Sequence, residues 1–366
     1  MHRRRILKAG LTGLAASAVA SPAIAQSSPN ISWRSVSGFP KSLDVLFGSA
    51  ETVAKYVGEA TDGKFKIQTF AAGEIIPGLQ VVDSVSNGTV EMGSTALFFS
   101  HGKDPVFSLA TSMPFLLNAR SMTAWLMEGG GDKMLGDFLA KFNLLRISSG
   151  NNLMNMGGWF RKEINTLADL KGLKFRIGGF AGEVFARVGG VPQVIAPGDI
   201  YPSLERGTID GVEFVCPYDD EKLGFNKVAK YYYFPGWHDG GANIDVIINN
   251  ASWAALPKHY QAALRTACSY AHQEMISRYD ARNTAALRRL VGSGTELRSF
   301  SPEILAGLHK AAFEQYAETA QKNATFKTIM QSMVDFRRDF YQYYRISDYA
   351  FDSMVMSLMG SEPKSI

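Results

Sequence analysis

Between residues 31 and 94 the chain alternates two periodicities. Residues 31–36, 64–70 and 90–94 read as strands, and 43–60 and 79–86 as amphipathic helices, punctuated by Thr61-Asp62-Gly63 and Asn87-Gly88. Strand, helix, strand, helix, strand on such short joints has few solutions: the helices must cover the faces of a mostly parallel sheet. The chain, at 366 residues, exceeds one typical domain, so a second core is expected. The pattern resumes after a helix over 121–142 and strands at 144–149 and 153–160. Helices at 166–172, 180–188 and 199–206 then alternate with strands around Leu173, Gln193 and Val212, and 243–249 reads as a strand returning to the first unit.

From Pro257 onward the sequence is almost all helix. Residues 258–291 form an unusually long one, expected to brace both units, and Ser301 N-caps another that starts at Pro302. This divides the chain into lobe I at 26–150, lobe II at 151–240, a return strand at 241–256, spine and shared helices at 257–325, and a C-terminal helical extension at 326–366. The aromatic run at 340–344 reads as core in preference to an exposed partner face.

Arg3, Arg4, Arg5 and Lys8 precede an apolar run over 9–20 and the small-residue site Ala23-Ile24-Ala25, the layout of an export signal cleaved near Ala25. The order also fits the twin-arginine pattern, with His2 where Ser or Thr is usual; an ordinary Sec signal is the alternative. The net charge of +4 falls to zero once those four cations are removed. No basic stripe remains for nucleic acid and no apolar run spans a bilayer, so a soluble exported protein is expected. Cys216 and Cys268 lack metal-type spacing; two unpaired, partly buried thiols are favoured over a disulfide.

The chemistry-bearing residues are charges inside strands. Arg176 lies in an apolar run opening into Gly178-Gly179, and Glu213 lies between Val212 and Phe214. Each needs a counter-charge or a ligand, since a buried unpaired charge is costly; the alternative is that they are surface charges or pair with each other. Glu213, Asp239, the amide oxygen of Asn155 and a carbonyl near Phe214 form a hard oxygen set, suited to Na⁺ or Ca²⁺ rather than zinc or copper. Motifs for a serine nucleophile, a Walker loop and a zinc protease are absent. The six histidines do not cluster, and His238, beside a turn, reads as solvated in preference to a base paired with Asp239.

On Asn151, Met156-Gly-Gly-Trp-Phe-Arg161, Gly172-Leu-Lys-Phe-Arg-Ile-Gly-Gly-Phe-Ala-Gly182, Gly198-Asp-Ile-Tyr-Pro202, Pro217-Tyr-Asp-Asp-Glu-Lys-Leu-Gly224 and Tyr231-Tyr-Tyr-Phe-Pro-Gly-Trp237 the chain resembles the periplasmic solute-binding subunits of TRAP transporters, in the branch that binds 2-oxo acids. The resemblance implies an α/β fold of two lobes with mixed sheets, a long spine helix and a C-terminal helical extension. It implies capture of a 2-oxo or 2-hydroxy monocarboxylate with Na⁺ or Ca²⁺, no organic cofactor, and delivery to a Na⁺-coupled membrane permease. Arg176 would fork onto the carboxylate. Asn155, Glu213, the Phe214 carbonyl and Asp239 would hold the cation, while Asn151, Asn155, Phe99 and Phe214 would line the substrate. A terminal helix swapped between subunits would make a homodimer.

The chain departs from that branch where Asn155 stands for glutamine, Phe214 for tryptophan, Asp239 for glutamate and Phe98-Phe99-Ser100 for a tyrosine-rich run. Fewer hydroxyls favour a bulkier, more apolar acid than pyruvate. Arg176 and Glu213 are then expected to be opposite walls whose partner is the ligand rather than each other, and Arg176→Ala to abolish binding without unfolding. The rival readings are a periplasmic enzyme using His238 and Asp239, and a sensing subunit for a histidine kinase.

Overall fold

The computed structural model describes residues 28–361; the export signal lies outside them. In chain order, β1 (Ile31–Ser37), α1 (Leu46–Ala60), β2 (Phe65–Phe70), α2 (Val81–Ser86) and β3 (Met92–Thr95) form the alternation read from the sequence, and β1 pairs in parallel with both neighbours. A short α3 (Val106–Leu109) leads to α4 (Ala119–Met127) and α5 (Gly131–Ala140). The single helix expected over 121–142 is therefore two. Gly130 between them takes φ +83°, and a Cβ on Gly131 would lie 2.7 Å from the Trp125 ring, so the glycines both break the helix and let its halves pack.

After β4 (Leu144–Asn151) the chain enters a second unit of β5 (Gly158–Phe160), β6 (Lys174–Arg176), α6 (Gly179–Arg187), β7 (Val191–Gln193), α7 (Ile200–Glu205), β8 (Gly211–Val212), α8 (Pro217–Leu223) and β9 (Tyr231–Phe234), and returns through β10 (Asn243–Asn249). The strand expected over 153–160 shrinks to β5. Asn151 Oδ1 accepts the Leu153 N–H at 2.9 Å and Leu153 takes φ +62°, a side-chain turn that ends the ladder. The helix expected over 166–172 is one 3-10 turn.

One sheet runs β2-β1-β3-β10-β4. Because β10 arrives from the other unit and not by a crossover, it lies antiparallel to β3 and β4, and the sheet is mixed, as the resemblance implies, where the strand–helix alternation alone gives a mostly parallel one. The remaining elements are α9 (Asn250–Ala255), α10 (Lys258–Gly292), β11 (Glu296–Ser299), α11 (Pro302–Lys322), α12 (Ala324–Tyr344) and α13 (Asp348–Leu358). The second sheet runs β11-β9-β5-β8-β6-β7.

The spine is α10. Its buried residues, among them Tyr260, Leu264, Cys268, Ala271, Met275 and Tyr279, recur every three or four positions, and the stripe packs on α1 and β4 at one end and on α8 at the other. At that second end the Tyr279 hydroxyl donates to Asp219, and Asp220 accepts from Trp159 Nε1 and the Tyr232 hydroxyl. Burial pushes the two carboxyls up to about 7 and about 6. Both cysteines are free and buried. The aromatic run at 340–344 is half buried at Phe340, Tyr341 and Tyr344 and exposed at Tyr343, and no residue of α13 is fully buried: Tyr349, Phe351, Met354 and Met356 face outward, as does Ile346 before it. The run's reading as core does not hold, because α13 folds back only lightly on α12 and leaves its apolar side chains uncovered. No helix among the described residues is long and apolar enough to cross a membrane.

Candidate ligand-binding site between the lobes

Register brings the two strand charges together. β6 and β8 pair in parallel with Arg176 opposite Val212, so Glu213 leaves its strand beside the arginine, its N–H donating to the Arg176 carbonyl at 3.0 Å. Arg176 Nη1 donates to Glu213 Oε1 at 2.8 Å and to the Glu213 carbonyl at 2.9 Å, and Nε donates to the Ile195 carbonyl at 3.3 Å. The expectation that these two groups are separate walls is corrected: they form a direct ion pair, both almost fully buried. In consequence Arg176→Ala cannot be structurally silent. Burial pushes Arg176 down, while the positive charge of Arg176 beside it outweighs burial and holds Glu213 below the usual carboxylate range. Nη2 of Arg176 takes part in none of these bonds, and the Phe214 ring lies 5.4 Å from the guanidinium carbon.

The site closes where segments 152–157 and 235–242 cross between the sheets side by side. Gly236 N–H donates to the Asn155 carbonyl and Asn152 N–H to the Ala242 carbonyl, both at 3.1 Å. Here Asn155 Nδ2 lies 3.3 Å from both the Phe214 carbonyl and Asp239 Oδ2, whereas Asn155 Oδ1 is buried with no partner. Asp239 accepts the Gly241 N–H at 2.7 Å, and burial pushes its carboxyl up to about 6. Three of the four residues read as a cation set, Asn155, Asp239 and the Phe214 carbonyl, thus meet, while the Glu213 carboxylate turns to Arg176 and His238. The orphaned amide oxygen fits a cation: turning the amide over would aim three oxygens at one another, an arrangement a cation between them would stabilise. Among the described residues no three His, Cys, Asp or Glu side chains group so as to hold a metal ion, so a cation here would draw in part on amide and carbonyl oxygens.

A tight cavity of ≈ 40 Å³ adjoins this set, room for roughly three groups the size of water. Phe99 and Phe214 line it, with Phe98, Phe39 and Phe180. Phe98 reaches from the first lobe over Gly178, where a Cβ would meet its ring at 2.7 Å, which is why the turn after β6 is glycine. Asn151 does not line the cavity: its Nδ2 donates to the Gly241 carbonyl at 3.0 Å, and its neighbour Asn152 faces the space instead. Ser112, which supports Asp239, carried no sequence signal. His238, expected to be solvated, is 4% exposed and faces the cavity, with Nε2 3.1 Å from Glu213 Oε2 but outside hydrogen-bond geometry. Across the two lobes, His101 Nε2 also meets Glu183 Oε1 of α6 at 2.8 Å.

Residues 36–323 match the model of the family described as bacterial extracellular solute-binding protein, family 7 (DctP). Over 363 residues the chain is 44% identical to a monocarboxylate 2-oxoacid-binding periplasmic protein of Nostoc sp. strain PCC 7120, covering 98% of this chain and 100% of that one. A TRAP transporter solute-binding protein of Bordetella bronchiseptica, whose crystal structure is a dimer with copurified calcium and picolinate, superposes with TM-score 0.90 at 44% identity, over 91% of this chain and 99% of that one. A homologue from Pseudoalteromonas atlantica with bound sodium and pyruvate gives 0.86 at 32%, over 88% and 99%.

Proposed function

The chain belongs to family 7 of the bacterial extracellular solute-binding proteins, the DctP family, and from that premise we propose that it is the periplasmic binding subunit of a TRAP transporter. It captures a small monocarboxylate bearing a second donor atom at C2, together with Ca²⁺ or Na⁺, and hands it to a Na⁺-coupled membrane permease. It does no chemistry on its ligand. The observation that carries this is the juxtaposition, in one buried cavity, of a guanidinium with a free Nη2 and an oxygen set containing an orphaned amide oxygen. A carboxylate satisfies the first and a cation the second, and an acid with a neighbouring oxygen or ring nitrogen bridges them.

The residues divide the work. Arg176 binds and orients the carboxylate; Glu213, Asp239, Asn155 and the Phe214 carbonyl would hold the cation; Phe98 and Phe99 from one lobe and Phe180 and Phe214 from the other exclude water when the lobes shut. The cation supplies charge neutralisation and a grip on the C2 donor. The phenylalanine-rich wall favours a planar or branched acid over the smallest one. Calorimetric titration is expected to rank picolinate or a branched 2-oxo acid above pyruvate and lactate, with the ligand recovered unchanged. Tightest binding of pyruvate would overturn the size preference, and conversion of the ligand would favour the enzyme reading.

The uncovered apolar face of α13 fits a second copy of the chain. Light scattering is expected to give a dimer for the mature protein and a monomer when the chain ends at Arg345. A monomer in both cases would leave α13 for another partner.

A further inference from the structure

We infer that His238 donates a ring N–H to the bound acid and is the residue that selects for an oxygen at C2, an assignment that rests on the function proposed above. Every other polar side chain in the cavity is already engaged or assigned. Arg176 is held by Glu213 and two carbonyls; Asn152 accepts the Ala242 N–H at 2.7 Å; Ser112 supports Asp239. Only the imidazole of His238 stands in the cavity wall 4% exposed with neither nitrogen hydrogen-bonded.

Such a group is costly to bury unsatisfied, and the protein does not spend its nearest acceptor on it. Glu213 Oε2 lies 3.1 Å from Nε2, a close contact outside hydrogen-bond geometry, and Nδ1 has no partner among the described residues. Trp237 packs its ring edge-on to the imidazole, with centroids 5.6 Å apart, and fixes its plane. The rest of the lining is hydrocarbon: Leu46, Ile244, Val215 and the phenylalanines. A ligand oxygen is therefore the acceptor the geometry leaves for this donor.

The test uses the mature full-length protein with calcium, titrated with pyruvate, whose C2 oxygen accepts, and with picolinate, whose C2 position carries a ring nitrogen turned to the cation. His238→Phe is expected to weaken pyruvate about 10- to 100-fold while weakening picolinate much less. His238→Gln, which keeps an N–H donor, is expected to recover most of the loss. The ring ¹⁵N resonance absent from His238→Phe should shift when pyruvate is added to the wild type. The assignment is overturned if His238→Phe binds pyruvate within about threefold of wild type, if both acids weaken equally, or if His238→Gln melts normally but recovers nothing. Should the wild type bind neither acid, the underlying function fails, and the assignment with it.

Discussion

Replacing Arg176 by alanine is expected to lower acid affinity by more than about 100-fold, the loss of a charge-assisted grip in a water-excluded site, and to destabilise the protein at the same time. The second effect follows from the ion pair. With the guanidinium gone, Glu213 is left buried and uncompensated, which costs about 3–5 kcal/mol. Loss of stability in the single variant therefore says nothing against a binding role. The informative comparison is Arg176→Met combined with Glu213→Gln, which removes both charges at similar volume. Its melting temperature is expected to return close to wild type while acid binding stays absent. A stable double variant that still bound the acid would show that the carboxylate is held elsewhere. Arg176→Lys adds a finer measure, since a point charge on a flexible stem cannot reproduce the planar fork.

Exhaustive chelation with EGTA is expected to weaken acid binding by more than about tenfold, with Ca²⁺ restoring it fully and Na⁺ only in part. The reason is charge. A bound carboxylate with Glu213 and Asp239 brings three negative charges against the one positive charge of Arg176, leaving two uncompensated in a closed, low-dielectric cleft. A divalent ion neutralises them. A monovalent ion leaves one, tolerable only if a carboxyl takes a proton, and burial already pushes Asp239 in that direction. Unchanged affinity after chelation would exclude a divalent ion as the co-ligand.

Much of this was legible before any coordinates. The boundaries of β10 and of the spine helix follow from a short β-branched segment, Val246-Ile247-Ile248, closed by Asn249, and from a stripe with uniform helical spacing, both local signals. The pairing of Arg176 with Glu213 is only one alternative in the sequence, because 37 residues separate them and only the register of β6 on β8 joins them. The break between α4 and α5 was written in three consecutive glycines but outweighed by the apolar periodicity on either side. His238 shows the opposite failure: beside a Gly-Gly turn it reads as surface, and its burial depends on Trp237 and on a lobe distant in sequence. Asn151 and Asn152 are neighbours of one residue type, and which of them faces the cavity is set by the side-chain turn at Leu153.

The two crossing segments lie against each other, so a closing motion of the lobes would have one fulcrum, and Asn155 and Asp239 stand on those segments, while His101 and Glu183 join the lobes elsewhere. Levers of that shape trade force for travel. An ion at the fulcrum moves its ligands little, yet each few tenths of an ångström there is multiplied along the arm before it reaches the rim. Ions of different radius would then set different resting gaps between the jaws, and the ion would act as a spacer that decides how tightly the protein can shut on an acid of given thickness.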